Sequence, residues 1–213
     1  MKIFSAGLFA LGLLGFTGCS SMSASSKYSK NLPASSSLFL STYPGISPQA
    51  RVALADSTHF LQTDPRWAAH TLGGSEQSLE GYGCLVTVAA MALRNLGFQT
   101  DPGDLTTRLK ANGGFTSTGL LVWSGLERVT GGQARAVFYT RQTDKIVREC
   151  LMAGYYPLVK FDLPSRQTHW AMVVMETDHG FYIRDPMVAS TIPIPLSART
   201  KTIDAVRCVG MKA

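Results

Sequence analysis

Three residues of this chain, Cys84, His169 and Asp185, have the types and the order that nucleophilic chemistry needs. A thiolate can attack a carbonyl carbon, an imidazole can take and return the proton, and a carboxylate can hold the imidazole's tautomer and orientation. Cys84 lies in the stretch LEGYGCLVTVAAMALRNLGF, Leu79 to Phe98, where Leu85 to Leu93 carry no charge and Arg94 is the first. A helix apolar on nearly all sides is one buried inside its domain. Gly81 and Gly83 give a flexible approach, and Gly97 supplies a C-terminal stop. Cys84 is then placed at the first turn, where unpaired N–H groups and the helix dipole favour an anion and so a thiolate. Taken alone, Cys84 reads equally as a small buried core residue.

The base must come from another element. QTHWAMVVMETDHGFYIRDP, Gln167 to Pro186, divides into an apolar, β-branched strand, the turn TDHG, and a returning strand FYIRD. Antiparallel pairing through so short a turn brings the start of the first strand beside the end of the second, and hence His169 beside Asp185. The other histidines compete less well: His179 falls in the turn, His70 reads as surface or loop, and His59 has no visible acid partner. Acyl transfer also needs donors for an oxyanion, here the N–H of Cys84 and the side chain of Gln62 in FLQTDPRW.

The elements that would carry these residues follow in two blocks. Helical segments run to about Gly131, among them TSTGLLVWSGLERVTGG with Thr116 to Thr118 as caps. Strands follow near RAVFYT, YPLVKFD, HWAMVVME, GFYIRD and TIDAVRCV, with the helix TDKIVRECLMAG among them. That order is α+β, with an antiparallel sheet.

Ahead of the domain, MKIFSAGLFALGLLGFTGC has one lysine, an apolar run too short for a membrane span, and small residues. Its end, Phe16-Thr17-Gly18-Cys19, resembles the bacterial lipobox, with phenylalanine where leucine is usual. That resemblance implies a signal peptide over 1–18, lipid (palmitate among the acyl chains) on Cys19, and anchoring to a membrane surface. Ser20, in place of an aspartate, points to the outer membrane facing the periplasm. Residues 19–50 are rich in serine and proline without apolar periodicity, a flexible tether in which SLFLSTY could form a short strand or docking segment. The folded domain is expected over 51–213.

Among the 213 residues the formal net charge is +6, and its densest basic stretches, Arg141 to Arg148 and Arg199 to Lys201, are short and mixed. Such a surface suits anionic lipid or envelope polymer and lacks the basic, aromatic-interleaved face that nucleic acid requires. Of four cysteines, Cys19 is set aside by lipidation, leaving Cys84, Cys150 and Cys208 in an oxidising compartment. Three pairings are open; Cys150 with Cys208 is preferred, with three reduced thiols as the alternative. There is no CxxC or HxxxH spacing, so neither a metal nor another cofactor is expected.

Together FLQTDPRWAAHTLG, GYGCLVTVAAMAL, LGFQTDPGDL, YYPLVKFD, HWAMVV and YIRDP resemble a papain-like cysteine peptidase domain, closest to the bacteriocin-processing, double-glycine peptidases. The resemblance spans His59 to Pro186 with the elements in the family's order. It implies a papain-like fold, a helical lobe headed by the nucleophile helix plus an antiparallel β lobe. It makes Cys84 the nucleophile, His169 the base and acid, Asp185 the third member and Gln62 the oxyanion-hole glutamine, with Asp64, Trp67 and Trp170 in support. It implies hydrolysis of peptide or related amide bonds of an envelope peptide or protein. The bacteriocin-processing enzymes are cytosolic and fused to transporters, and their glutamine lies closer to the cysteine, so a double-glycine leader is not the expected substrate. Two other readings stay open: an amidase acting on cell-wall peptide with the same triad, and a non-catalytic envelope lipoprotein serving binding or assembly.

Overall fold

In the computed structural model the described residues are 50–139 and 143–212. The signal-like run, Cys19 and the Ser-rich tether up to residue 49 lie outside them, while Ala50, expected in the tether, opens β1. In chain order the elements are strand β1 (Ala50–Ala53), helices α1 (Leu79–Tyr82), α2 (Cys84–Asn95), α3 (Pro102–Ala111) and α4 (Ser124–Val129), and strand β2 (Ala134–Phe138). Then come helix α5 (Asp144–Met152) and strands β3 (Tyr156–Asp162), β4 (Thr168–Thr177), β5 (Gly180–Arg184), β6 (Ile194–Pro195) and β7 (Ala205–Met211). This is the mixture of helix and antiparallel sheet that the α+β order leads one to expect.

The strands form one antiparallel sheet in the order β2-β7-β3-β4-β5-β6, with β1 also paired to β4. Both faces are covered, and the alternation of side chains sorts the core into two clusters. Leu158, Met172 and Val209 meet the apolar helix α2, while Val159, Ala171, Val206 and Cys208 pack with Val147 and Leu151 of α5. Helix α2 is buried from Val86 to Leu93, which explains its lack of charge. Removing a side chain such as Met91 or Leu93 down to alanine there costs about 2–5 kcal/mol.

Local signals set the helix ends. The Asp101 side chain accepts the Asp104 N–H ahead of α3, with Pro102 in its first turn, and Thr143 caps Ile146 N–H at α5. Helix α2 closes with Gly97 at φ 99° and the Phe98 N–H on the Leu93 carbonyl. One expected helix is much shorter than read: only Ser124–Val129 of the stretch beginning at Thr116 is helical. Its first half is a tight turn instead. Phe115 bridges Leu121, the Thr116 N–H donates to the Leu120 carbonyl, and Gly119 takes φ 83°, a conformation that interrupts a right-handed helix. Cys150 of α5 and Cys208 of β7 are joined as a disulfide with Cα atoms 6.0 Å apart, and Cys84 remains a free, buried cysteine.

Candidate active site

Cys84 is the first residue of α2, so no turn of that helix engages its N–H. The α1–α2 junction holds it there, and Gly83 is the residue that makes the junction possible. Its φ of −88° is open to any residue, but a Cβ on it would fall 2.4 Å from the Leu79 carbonyl oxygen and 2.5 Å from Leu79 Cδ2. Gly83 is therefore required for space rather than for flexibility. Its own N–H donates to the Leu79 carbonyl at 2.7 Å, closing α1 directly against α2.

His169 enters from the start of β4 and Asp185 directly follows β5. The hairpin register, Met172 opposite Arg184, carries the two toward each other. His169 Nε2 lies 2.8 Å from Asp185 Oδ1, and both side chains are almost wholly buried. A carboxylate only accepts, so Nε2 carries a proton, and Cys84 lines the same cavity as the ring. Phe161 packs edge-on against the imidazole at 5.4 Å. Burial works against the charged ring, but the hydrogen bonds to Asp185 and Cys84 outweigh it, and the His169 pKa is pushed up to about 9. Burial also opposes ionisation of Asp185. The His169 hydrogen bond and charge, the Met187 N–H and the charge of Arg199 overcome it and hold the carboxyl below its usual range.

Two groups around Asp185 were not apparent from the sequence as site residues. Arg199 Nε donates to Asp185 Oδ2 at 2.7 Å, and the Met187 N–H donates to Oδ1 at 2.8 Å. Arg199 had counted only as part of a basic stretch, and no local pattern ties it to a residue fourteen positions earlier. His59 is also joined to the site. Its ring nitrogens lie 2.9 Å from the Ser190 carbonyl and 3.0 Å from the backbone carbonyl of Asp185. Arg184 fixes the same segment through Asp56 and the carbonyls of Ser190 and Thr191.

Gln62 reaches the site from the other side. Its backbone N–H donates to the Pro186 carbonyl at 2.9 Å, and Trp67 Nε1 donates to the Leu61 carbonyl at 2.8 Å. Gln62 Nε2 donates to the Glu80 carbonyl at 2.6 Å, while Oε1 is buried with no partner among the described residues. Flipping the amide would set Oε1 against the Glu80 carbonyl, so the orientation is fixed and one Nε2 hydrogen remains unspent.

Gln62, Cys84 and His169 line a single cavity of about 240 Å³ with Gly81, Tyr82, Gln167, Thr168 and Met187. Tyr82 and Met187 are 58% and 46% exposed at its rim, and Gln167 Nε2 donates across it to the Gly81 carbonyl at 3.2 Å. A larger hollow of about 590 Å³, lined by residues including Asp144, Phe181 and Lys201, contains none of the catalytic candidates. Asp64 pairs with exposed Arg66, Trp67 is core, and Trp170 is half-buried on the α2 face of the sheet. His179 is exposed and His70 partly so, neither touching the cavity.

No family model and no curated protein matches this chain by sequence. Among solved structures it is similar to a crystal structure from Bacillus anthracis, provisionally described as a C39-like peptidase, with 13% sequence identity and a TM-score of 0.48. The likeness covers 76% of this chain and 99% of that one.

Proposed function

We propose that this chain is a cysteine peptidase of the bacterial envelope with a papain-like arrangement, held to the membrane by lipid on Cys19. The observation that carries the reading is the buried His169–Asp185 pair, Nε2 and Oδ1 2.8 Å apart, on the cavity that Cys84 also lines. A thiol, a base and an orienting acid gathered at one cavity support a nucleophile rather than a packing cluster.

The reaction we propose uses these side chains in turn. With the Cys84 proton already on His169, as the ring's raised pKa favours, Sγ bonds to the substrate carbonyl carbon as its C=O electrons move to oxygen. The Cys84 N–H and the unspent Nε2 hydrogen of Gln62 are the donors for that oxyanion. As the carbonyl reforms, the C–N bond breaks and the amine leaves with the proton from His169, giving a thioester. Water then attacks, His169 taking its proton, and the C–S bond breaks to release the acid and restore the thiol. Asp185 stays ionised throughout, held so by Arg199 and Met187. The small cavity suits one or two residues of an extended chain.

The test is the rate of Cys84 alkylation by iodoacetamide against pH, in the full chain and in His169→Ala. The pair predicts rapid labelling well below pH 8 that slows in the variant. Slow labelling that rises only at ordinary thiol pH in both proteins would remove the peptidase reading and leave a binding or assembly protein.

A further inference from the structure

The candidate catalytic acid is also held through its own backbone, by an imidazole. Pairing of β4 with β5 ends at Met172 opposite Arg184, and the chain then turns through Asp185 to Ser190 before β6 begins at Ile194. His59 spans that turn from end to end. Its Nε2 lies 3.0 Å from the Asp185 carbonyl oxygen and its Nδ1 2.9 Å from the Ser190 carbonyl oxygen. A little further along the same segment, the Gln62 N–H donates to the Pro186 carbonyl at 2.9 Å. The segment that carries the oxyanion glutamine is thus joined to the turn that carries Asp185, and His59 holds both ends of that turn.

Both acceptors are carbonyl oxygens, which have no hydrogen to give, so each ring nitrogen must supply one. A neutral imidazole carries a hydrogen on one nitrogen only, and the charged ring on both. The double bridge therefore belongs to the imidazolium. On losing a proton, His59 must turn a lone pair toward one of the two oxygens. Neither oxygen depends on His59 alone: the Asp185 carbonyl also accepts the Val188 N–H at 3.2 Å, and the Ser190 carbonyl accepts Arg184 Nη1 at 3.1 Å. Releasing one end of the bridge thus leaves neither carbonyl without a donor, and the ring is only half-buried, open to water. The charged groups that meet the bridge are Arg184 on the shared Ser190 oxygen, Asp56 that pairs with Arg184, and the Asp185 carboxylate with Arg199 on its far oxygen.

From this geometry we infer that His59 is a positioning residue: as the imidazolium it clamps the turn from Asp185 to Ser190 onto the Gln62 segment, and its deprotonation frees one end of the turn and loosens Asp185 behind His169. The proton goes to solvent and returns from it, and no other covalent bond changes. The effect on Cys84 chemistry rests on the peptidase reading. The proton-dependent clamp does not, since it consists of one ring and two carbonyls.

The experiment measures amide hydrogen exchange in the full chain, as protection factors, between about pH 5 and about pH 8, the span in which imidazoles titrate. Met187 and Val188 are the reporters, because their N–H groups bind the Asp185 carboxylate and carbonyl. His169 keeps its proton over this span, its pKa standing at about 9, so it adds no step of its own. Protection of the two amides should fall about tenfold as the pH rises, the worth of one hydrogen bond. In His59→Gln, whose side chain stays uncharged, protection should be low throughout and the step absent. Cys84 alkylation should be slower in His59→Gln than in the parent near the acid end of the span and similar near the other. Protection that does not change with pH in the parent, or a step that survives in His59→Gln, overturns the clamp. Should His59→Gln not fold by circular dichroism, imidazole nitrogen spectra of the parent decide instead: the protection step must coincide with the loss of one N–H from His59, and a step at another pH overturns the clamp. The expected step with alkylation alike in parent and variant at both ends overturns the positioning role. The expected step around a slow, ordinary Cys84 thiol would overturn the peptidase and keep the clamp.

Discussion

His169 and Arg199 take opposite oxygens of one carboxylate. Asp185 Oδ1 accepts from His169 Nε2 at 2.8 Å and Oδ2 from Arg199 Nε at 2.7 Å, with the Asp185 side chain fully buried. A buried acid serving an imidazole alone would be short of partners. With Arg199 on the far oxygen, Asp185 stays ionised and cannot rotate away from the ring.

Arg199 is therefore a positioning residue. Arg199→Ala should destabilise the chain by about 1–3 kcal/mol, the cost of leaving a buried acceptor short of a donor. It should also slow Cys84 alkylation and shift its pH profile, because Asp185 holds His169 less firmly. Arg199→Lys should restore much of the alkylation rate. A variant that loses thermal stability but keeps the parent pH profile would make Arg199 purely structural.

The pH dependence of stability has a definite sign. The folded pKa of His169 is raised from 6.5 to about 9, so its contribution is fully present below about pH 6.5 and is lost as pH climbs through 9. Asp185 is shifted down, so its contribution is present above its ordinary value of 3.8 and is lost as pH falls through the depressed value. Urea denaturation should show stability declining from pH 6.5 to 9, with the decline flattened in His169→Asn. An unchanged slope in that variant would contradict the assignment.

On the proposed mechanism, substituting Gln62 would separate oxyanion binding from thiol activation. In Gln62→Ala the alkylation rate of Cys84 should stay close to that of the parent, since iodoacetamide forms no oxyanion. Turnover of any amide substrate should fall about 10²–10³-fold. A fall in both rates together would instead mean that the link from Gln62 Nε2 to Glu80 serves mainly to shape the Cys84 turn.

The disulfide can be removed without touching the cavity. Cys150 and Cys208 are 58 residues apart, and in the chain-entropy account their bond is worth about 4 kcal/mol. Cys150→Ala with Cys208→Ala should lower the denaturation midpoint accordingly while Cys84 alkylation in the folded protein is unchanged. A large change in that rate would couple the α5 face of the sheet to the nucleophile.

Much of the site was legible because it depends on local signals. An uncharged run after Cys84 specifies a buried helix starting there, and a hairpin closed by a short turn must return Asp185 to His169. The α+β order was legible for the same reason. What escaped depends on tertiary placement. Arg199 reaches Asp185 only after the chain has passed β6. Gly83 was read as flexible, whereas its role is set by the Leu79 carbonyl 2.4 Å from where a Cβ would be. The long helix expected from Thr116 fails because apolar spacing alone cannot register that Phe115 and Leu121 bridge across Gly119.

The bond between Cys150 and Cys208 has a further consequence for Cys84. It leaves Cys84 as the one free thiol among the described residues. A sulfenic acid formed there by peroxide has no second thiol in the folded domain with which to condense, so no internal disulfide can shelter it from further oxidation. Its recovery depends on small external thiols able to enter a narrow cavity, and where these are scarce, damage runs on to the sulfinic acid and is permanent. The same cross-link that hardens the scaffold leaves Cys84 without an internal thiol to shield it from irreversible oxidation.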